Sequence, residues 1–178
     1  YRKTVLDELD SLPSQLQWIV LSGATGTAKT YILRAAADMG AQVLDLEKLA
    51  DHRGSLLGSE PGISQPAQRL FESRLVACFQ SFDPTKPVYI EAESNKIGQL
   101  HIPPALWAAM RKARRVTITA PLAARVAFLQ RDYRHIIEKK DNLMQLLSGL
   151  RERYSKDIFA GWQKNITEGN WDGFVTAI

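Results

Sequence analysis

A glycine-bounded loop, Gly23-Ala24-Thr25-Gly26-Thr27-Ala28-Lys29-Thr30, stands directly after an apolar run, Gln17–Ser22, and directly before a stretch of helix formers, Lys29–Met39. Few folds admit that order. A short apolar run closed by glycine reads as a buried strand, and a helix that starts at once behind the loop aims its N-terminal N–H groups at whatever the loop encloses. Glycines let successive amides turn inward toward phosphate oxygens, a lysine at Lys29 reaches the distal phosphates, and the Thr30 hydroxyl suits Mg²⁺. Ala28 stands where the pattern calls for glycine. A Cβ is accommodated there if the loop has already entered helical dihedrals.

The rest of the chain continues the alternation. Residues 1–12 carry Val5, Leu9 and Leu12 on one helical face and stop near Pro13. Gln42–Leu46 reads as a second strand, Val88–Glu91 as a third and Val116–Thr119 as a fourth. Helices are expected from Pro66, with Phe71, Leu75, Cys78 and Phe79 on one face, and from about Pro104 to Lys112. A further helix follows Pro121, another spans Leu143–Leu150, and the last contains Trp171, Phe174 and Val175. Only Asp51–Ser64 lacks a period. Strands separated by helices give a parallel sheet of four to five strands covered on both faces, with a helical C-terminal part: one α/β domain over residues 1–178, built like a P-loop NTPase or kinase.

Charge narrows the partners. The net charge is +4, yet residues 111–153 hold eleven Lys/Arg against four Asp/Glu. A basic half of this kind favours phosphate-rich partners, because each neutralised phosphate releases counterions. Cys78 is the only cysteine, so no internal disulfide forms and a reducing, cytoplasmic setting is expected. It falls on the apolar stripe of its helix and reads as packing rather than as a nucleophile. No apolar run is long enough to cross a bilayer, so no membrane is expected. With Tyr1 in place of Met, the chain is expected to have been processed or excised from a longer one.

The candidate chemistry gathers at strand ends. Glu91 and Glu93 alternate onto the same side at the end of the third strand, where a carboxylate binds Mg²⁺. Asp45 and Glu47 follow the second strand on the same sheet edge, although helix capping accounts for Asp45 equally well. His52-Arg53 lies in the long aperiodic stretch and offers an imidazole beside a guanidinium to an anionic substrate. Arg131, Arg134 and His135 share a helix face that could close over phosphates or simply face water.

Several of these segments, in order, resemble the C-terminal domain of tRNA 2-selenouridine synthases. The matching pieces are Gly23–Thr30 (GATGTAKT), Asp45–Gly58 (DLEKLADHRGSLLG), Gln65–Ser73 (QPAQRLFES) and Glu91–Pro103 (EAESNKIGQLHIP), and the opening YRKTVLDELD is similar too. Where that family usually has Glu-Asp-Glu-Ser this chain has Glu91-Ala92-Glu93-Ser94. The resemblance implies an enzyme that alkylates the sulfur of the wobble 2-thiouridine in tRNA with geranyl diphosphate, then replaces it with selenium from selenophosphate. It implies an upstream rhodanese-like domain that brings an essential cysteine. The expected diphosphate ligand is geranyl diphosphate, ATP or GTP, held with Mg²⁺ by Gly23, Ala24, Thr25, Gly26, Thr27, Ala28, Lys29 and Thr30. Lys29, Arg53, Glu91 and Glu93 are the catalytic candidates, and Thr30 and Glu91 are the metal ligands. Asp45, His52, Arg53, Gln65, Arg131 and Arg134 are the candidates for substrate. A stand-alone ATP-dependent small-molecule kinase, or a non-catalytic nucleotide- or RNA-binding module, would also use such a loop.

Overall fold

A computed structural model describes residues 2–52, 64–92, 94–132, 143, 147, 148 and 154–177. Among them the first elements are α1 (Arg2–Ser11), β1 (Gln17–Ser22), α2 (Lys29–Asp38), β2 (Gln42–Leu44), α3 (Leu46–Leu49), α4 (Gln68–Ser81) and β3 (Pro87–Glu91). They are followed by a two-stranded hairpin of β4 (Lys96–Ile97) and β5 (Leu100–His101), then α5 (Pro104–Lys112), β6 (Arg114–Thr117), α6 (Leu122–Asp132), α7 (Lys156–Glu168) and α8 (Trp171–Ala177). The main sheet is all parallel in the order β2-β3-β1-β6 and is flanked by helices. The α/β class and the parallel sheet read from the sequence are thus present.

The chain divides into two compact units: residues 1–23 with 29–117, and residues 24–28 with 118–178. In the first unit, β1 and β3 run in register from Gln17 against Pro87 to Leu21 against Glu91. Trp18, Val20, Val88 and Ile90 of these strands join Val5 and Leu9 of α1, Phe71, Leu75 and Phe79 of α4, and Leu106 and Met110 of α5 in one core. Each of these side chains is almost fully removed from water, and burial of that size stabilises by ~1.5–3 kcal/mol per side chain. The Trp18 indole N–H donates to the Pro13 carbonyl at 2.8 Å, so its one polar atom is satisfied inside.

In the second unit, α6 and α8 meet through Val126, Leu129 and Val175. Helix α7 is N-capped by Ser155, whose hydroxyl accepts from the Ile158 N–H, and Trp162 donates to the Ala177 carbonyl at 3.1 Å.

Several features differ from expectation. The second strand stops at Leu44, not Leu46, because Asp45 leaves the ladder to cap α3. The fourth main strand is Arg114–Thr117 rather than Val116–Thr119. It is the outer strand and pairs with β1 from Ile19 to Ser22, so its exposed arginines belong to the ladder as much as Val116 and Thr117 behind them. Helix α7 has no counterpart in the sequence reading, although Ser155, the Phe159-Trp162-Ile166 stripe and Gly169 mark both of its ends and its buried face.

Candidate functional site

In the first unit the end of β3 brings Glu91 beside the start of α2. Lys29 Nζ donates to the Gly23 carbonyl at 3.0 Å and lies 3.6 Å from Glu91 Oε1. Thr30 Oγ1 is 2.8 Å from Glu91 Oε2 and 3.3 Å from Glu47 Oε2. A hydroxyl carries one proton, so the shorter contact to Glu91 takes it and Glu47 is left without a firm donor. Burial is the largest cause that pushes the Glu47 carboxyl up to about 7, with the neighbouring charges of Glu91 and Asp45 adding to it. Lys29 and Glu91 themselves are nearly enclosed, with side-chain exposures of 14% and 10%.

This group of side chains has the donors a hard divalent cation takes: two carboxylates and a hydroxyl. Its charge also fits. Burial first, and the charges of Glu91 and Asp45 next, keep Glu47 partly protonated near neutral pH, and a cation would offset that cost. Mg²⁺ therefore fits the residues present, with Thr30 and Glu91 as the sequence implied and Glu47 in addition.

Asp45 is oriented elsewhere. Its Oδ1 accepts from the Lys48 N–H at 2.9 Å and its Oδ2 lies 3.4 Å from Arg34 Nε, so capping and an ion pair account for both oxygens. The acid that joins Thr30 from this segment is Glu47, two residues on. Two residues separate the two roles, and the sequence names both acids without telling the roles apart because the strand ends at Leu44.

In the second unit the loop residues Ala24–Ala28 lie against α6. Thr27 closes a turn through its N–H and its hydroxyl, both on the Ala24 carbonyl, at 3.2 and 2.8 Å. Arg125 Nε donates to the Thr25 carbonyl at 2.7 Å. Gly26 has φ +85°, and a Cβ there would lie 2.9 Å from the Arg125 carbonyl oxygen, so this position requires glycine. Ala28 takes φ +60°, the left-handed region, and not the helical dihedrals that would have excused its Cβ. Arg125 is a loop-holding residue that charge counting alone could not single out. Arg131, at the end of α6, lies 5.6 Å over the Phe128 ring.

The QPAQ segment shows what its glutamines do. Gln65 Nε2 donates to the Ala50 carbonyl at 3.3 Å and the Ile97 carbonyl at 3.0 Å, while its Oε1 accepts from the Gln99 N–H at 2.7 Å. Gln68 exchanges two bonds of 2.9 Å with the backbone of His101. Gly98, at φ +58°, passes so close to the Gln65 amide that any Cβ would overlap it. Both side chains thus strap the β4–β5 hairpin to the start of α4, and Gln65 also reaches the end of α3. His52 follows that end; its N–H donates to the Glu47 carbonyl at 3.1 Å, and burial pushes its imidazole below the usual range. Arg53, Glu93 and Arg134, with His135 and most of residues 133–153, lie outside the described residues.

Comparison with known proteins bears on the whole arrangement. A family model described as the tRNA 2-selenouridine synthase AAA domain matches residues 16–165. A tRNA 2-selenouridine synthase of Shewanella frigidimarina is 31% identical over 163 residues, covering 90% of this chain and 42% of that protein. That of Marinobacter nauticus is 33% identical over 163 residues, 90% of this chain and 40% of its own length. That of Aeromonas salmonicida is 34% identical over 136 residues, 75% of this chain and 35% of its own. The chain spans less than half the length of these curated relatives.

Proposed function

The chain belongs to the tRNA 2-selenouridine synthase AAA-domain family, and from that membership we propose that it is the diphosphate-holding part of an enzyme converting 2-thiouridine in tRNA to 2-selenouridine. The observation that carries the reading is the convergence of Lys29, Thr30, Glu47 and Glu91 in the first unit. Lys29, whose ammonium rests on a backbone carbonyl and a carboxylate, is the cation available to an incoming phosphate. Glu91 fixes the Thr30 hydroxyl, and Glu47 sits ready to exchange its proton for a metal charge. Mg²⁺ bound to Thr30 and Glu91 would neutralise charge building on a departing diphosphate.

Geranyl diphosphate is the donor this reading favours, with ATP or GTP as the competing occupant. In the alkylation, the tRNA sulfur attacks C1 of the geranyl group, a C–S bond forms, the C–O bond to diphosphate breaks, and diphosphate leaves with the electron pair. Lys29 stabilises that leaving charge. Selenophosphate would deliver selenium in the later exchange, and a rhodanese-like domain elsewhere in the protein would supply the thiol for it. The basic stretch from Arg111 onward supports a tRNA backbone contact, giving affinity and little sequence choice. Among the described residues no helix is long and apolar enough to cross a membrane, and the lone Cys78 supports a cytoplasmic setting.

The test is calorimetric titration of diphosphate with Mg²⁺ into the wild type and Lys29→Ala. A charge-assisted contact of about 1.5–3 kcal/mol predicts a loss of roughly tenfold or more. Equal affinity in both proteins would overturn the assignment of the site.

A further inference from the structure

The first unit contains a cavity of about 510 Å³ bounded by the end of α3, the start of α4 and the β4–β5 hairpin. That volume lies within the ~300–1,000 Å³ typical of small-molecule sites. Its walls are fixed in advance. Gln65 and Gln68 bind the hairpin backbone as described, and Arg74 of α4 donates to Asp51 Oδ2 at 2.9 Å and to the Leu49 carbonyl at 2.8 Å. Asp51 is thereby held at φ +48°, the turn that brings His52 to the cavity wall.

The hydrogen-bonding groups left over on that wall are uncharged. Among the described residues, the Ser64 hydroxyl and the Gln99 side-chain amide have no partner, and the buried His52 Nδ1 has none either. The described lining residues include no Lys or Arg, and the one carboxylate, Asp51, is engaged by Arg74. Among these described lining residues an anion would find no free cation. An isoprenoid chain would find a limited apolar wall, chiefly Leu100, Pro66 and Ala67, and would strip water from three polar groups. A flat ring whose edge both donates and accepts matches the set: an amide pairs with a base edge through two bonds, and an imidazole gives a stacking face.

We propose that this cavity is a binding site for an uncharged nucleobase, contacted by His52, Ser64 and Gln99, with Arg74 as the residue that positions the wall through Asp51. The inference rests on the reading that RNA is the substrate. It gives a place for a base taken out of its stack or already unpaired, as an enzyme working on a base atom needs.

The full-length protein is titrated with the nucleosides uridine and 2-thiouridine, followed by NMR of labelled histidine, and separately with inorganic diphosphate. A nucleoside should shift the His52 resonance saturably. His52→Ala and Gln99→Ala should each weaken nucleoside binding by about threefold to tenfold, the range for one neutral hydrogen bond, and leave diphosphate binding within about twofold. Arg74→Ala should weaken the nucleoside in the same sense, and Arg74→Ala with Asp51→Gly should recover it, because glycine takes the turn unaided. A protein that binds diphosphate but no nucleoside would overturn the cavity assignment and leave the diphosphate reading standing. Binding of neither would overturn both. Nucleoside binding unaffected by the His52 and Gln99 substitutions, or displacement of the nucleoside by the alcohol geraniol, would also overturn it.

Discussion

Ala28 adopts φ +60° with a Cβ attached, and left-handed backbone costs an L-residue about 1–2 kcal/mol. Glycine would remove that strain while adding chain entropy to the unfolded state, so Ala28→Gly should stabilise by up to about 1 kcal/mol, read as a higher urea midpoint at unchanged slope. No gain would mean that the neighbouring bonds, not the residue, set this dihedral. Glu47 gives a second prediction at this scale. Its folded pKa of about 7 lies above the ordinary 4.5, so the folded protein holds more protons than the unfolded one between those values. Stability from this group is therefore complete below pH 4.5 and declines as pH rises toward 7. Glu47→Gln should flatten the stability profile across that window, and Mg²⁺ with diphosphate should flatten it in the wild type. A profile unchanged by the substitution would place the titration on another residue.

At the scale of elements, the end of α3 carries more than its four residues suggest. The Asp51 N–H bonds to the Lys48 carbonyl and the His52 N–H to the Glu47 carbonyl, the pair of bonds that closes a helix when the residue after the cap turns left-handed. Glycine usually fills that position; here Asp51 does, held by Arg74. Arg74→Ala should cost about 1–2 kcal/mol, and most of that loss should disappear in an Asp51→Gly background, a coupling that a double-mutant cycle of urea midpoints measures directly. Additive losses would show that Arg74 acts through something other than this turn.

The same elements show how far the sequence could be read. The elements α2, β1 and β3 are legible because each repeats a period over enough residues, and the loop is legible from its glycines and its place between β1 and α2; Lys29, Thr30 and Glu91 are then named from their positions on them. The α3 turn was not, since four residues carry no period and only the Asp45 cap distinguishes them from a strand end. The β4–β5 hairpin consists of two-residue strands, and the bonds that hold it come from Gln65 and Gln68, more than thirty residues earlier, which no local pattern exposes. The sequence names Glu47 beside Asp45 but does not say which of them meets Thr30, and the contact of Arg125 with the Thr25 carbonyl is hidden for the same reason: each acts across the fold on a partner remote in sequence.

At the scale of the whole molecule, the proposed function would divide the reaction unevenly between these residues and the rest of the protein. Holding a diphosphate needs positive charge, and on the proposed function Lys29 would supply it. Exchanging selenium for sulfur at a base needs a reactive thiol. Cys78 is the one cysteine of this chain; it is half-buried against the apolar core, and burial is the main cause that raises its thiol above the ordinary range, which disfavours the reactive thiolate. The two half-reactions should therefore separate when these 178 residues are produced alone. We expect binding of diphosphate and of tRNA, the latter weakening steeply with salt, and at most slow geranyl transfer, because the tRNA sulfur is itself the nucleophile in that step. We expect no selenouridine. The chain is incubated with 2-thiolated tRNA, geranyl diphosphate and selenophosphate, the RNA is digested, and the nucleosides are resolved by mass. Selenouridine formed at a rate near that of the full-length protein would show that the exchange needs no thiol from outside these residues. A Cys78→Ala variant would then decide whether Cys78 had supplied it.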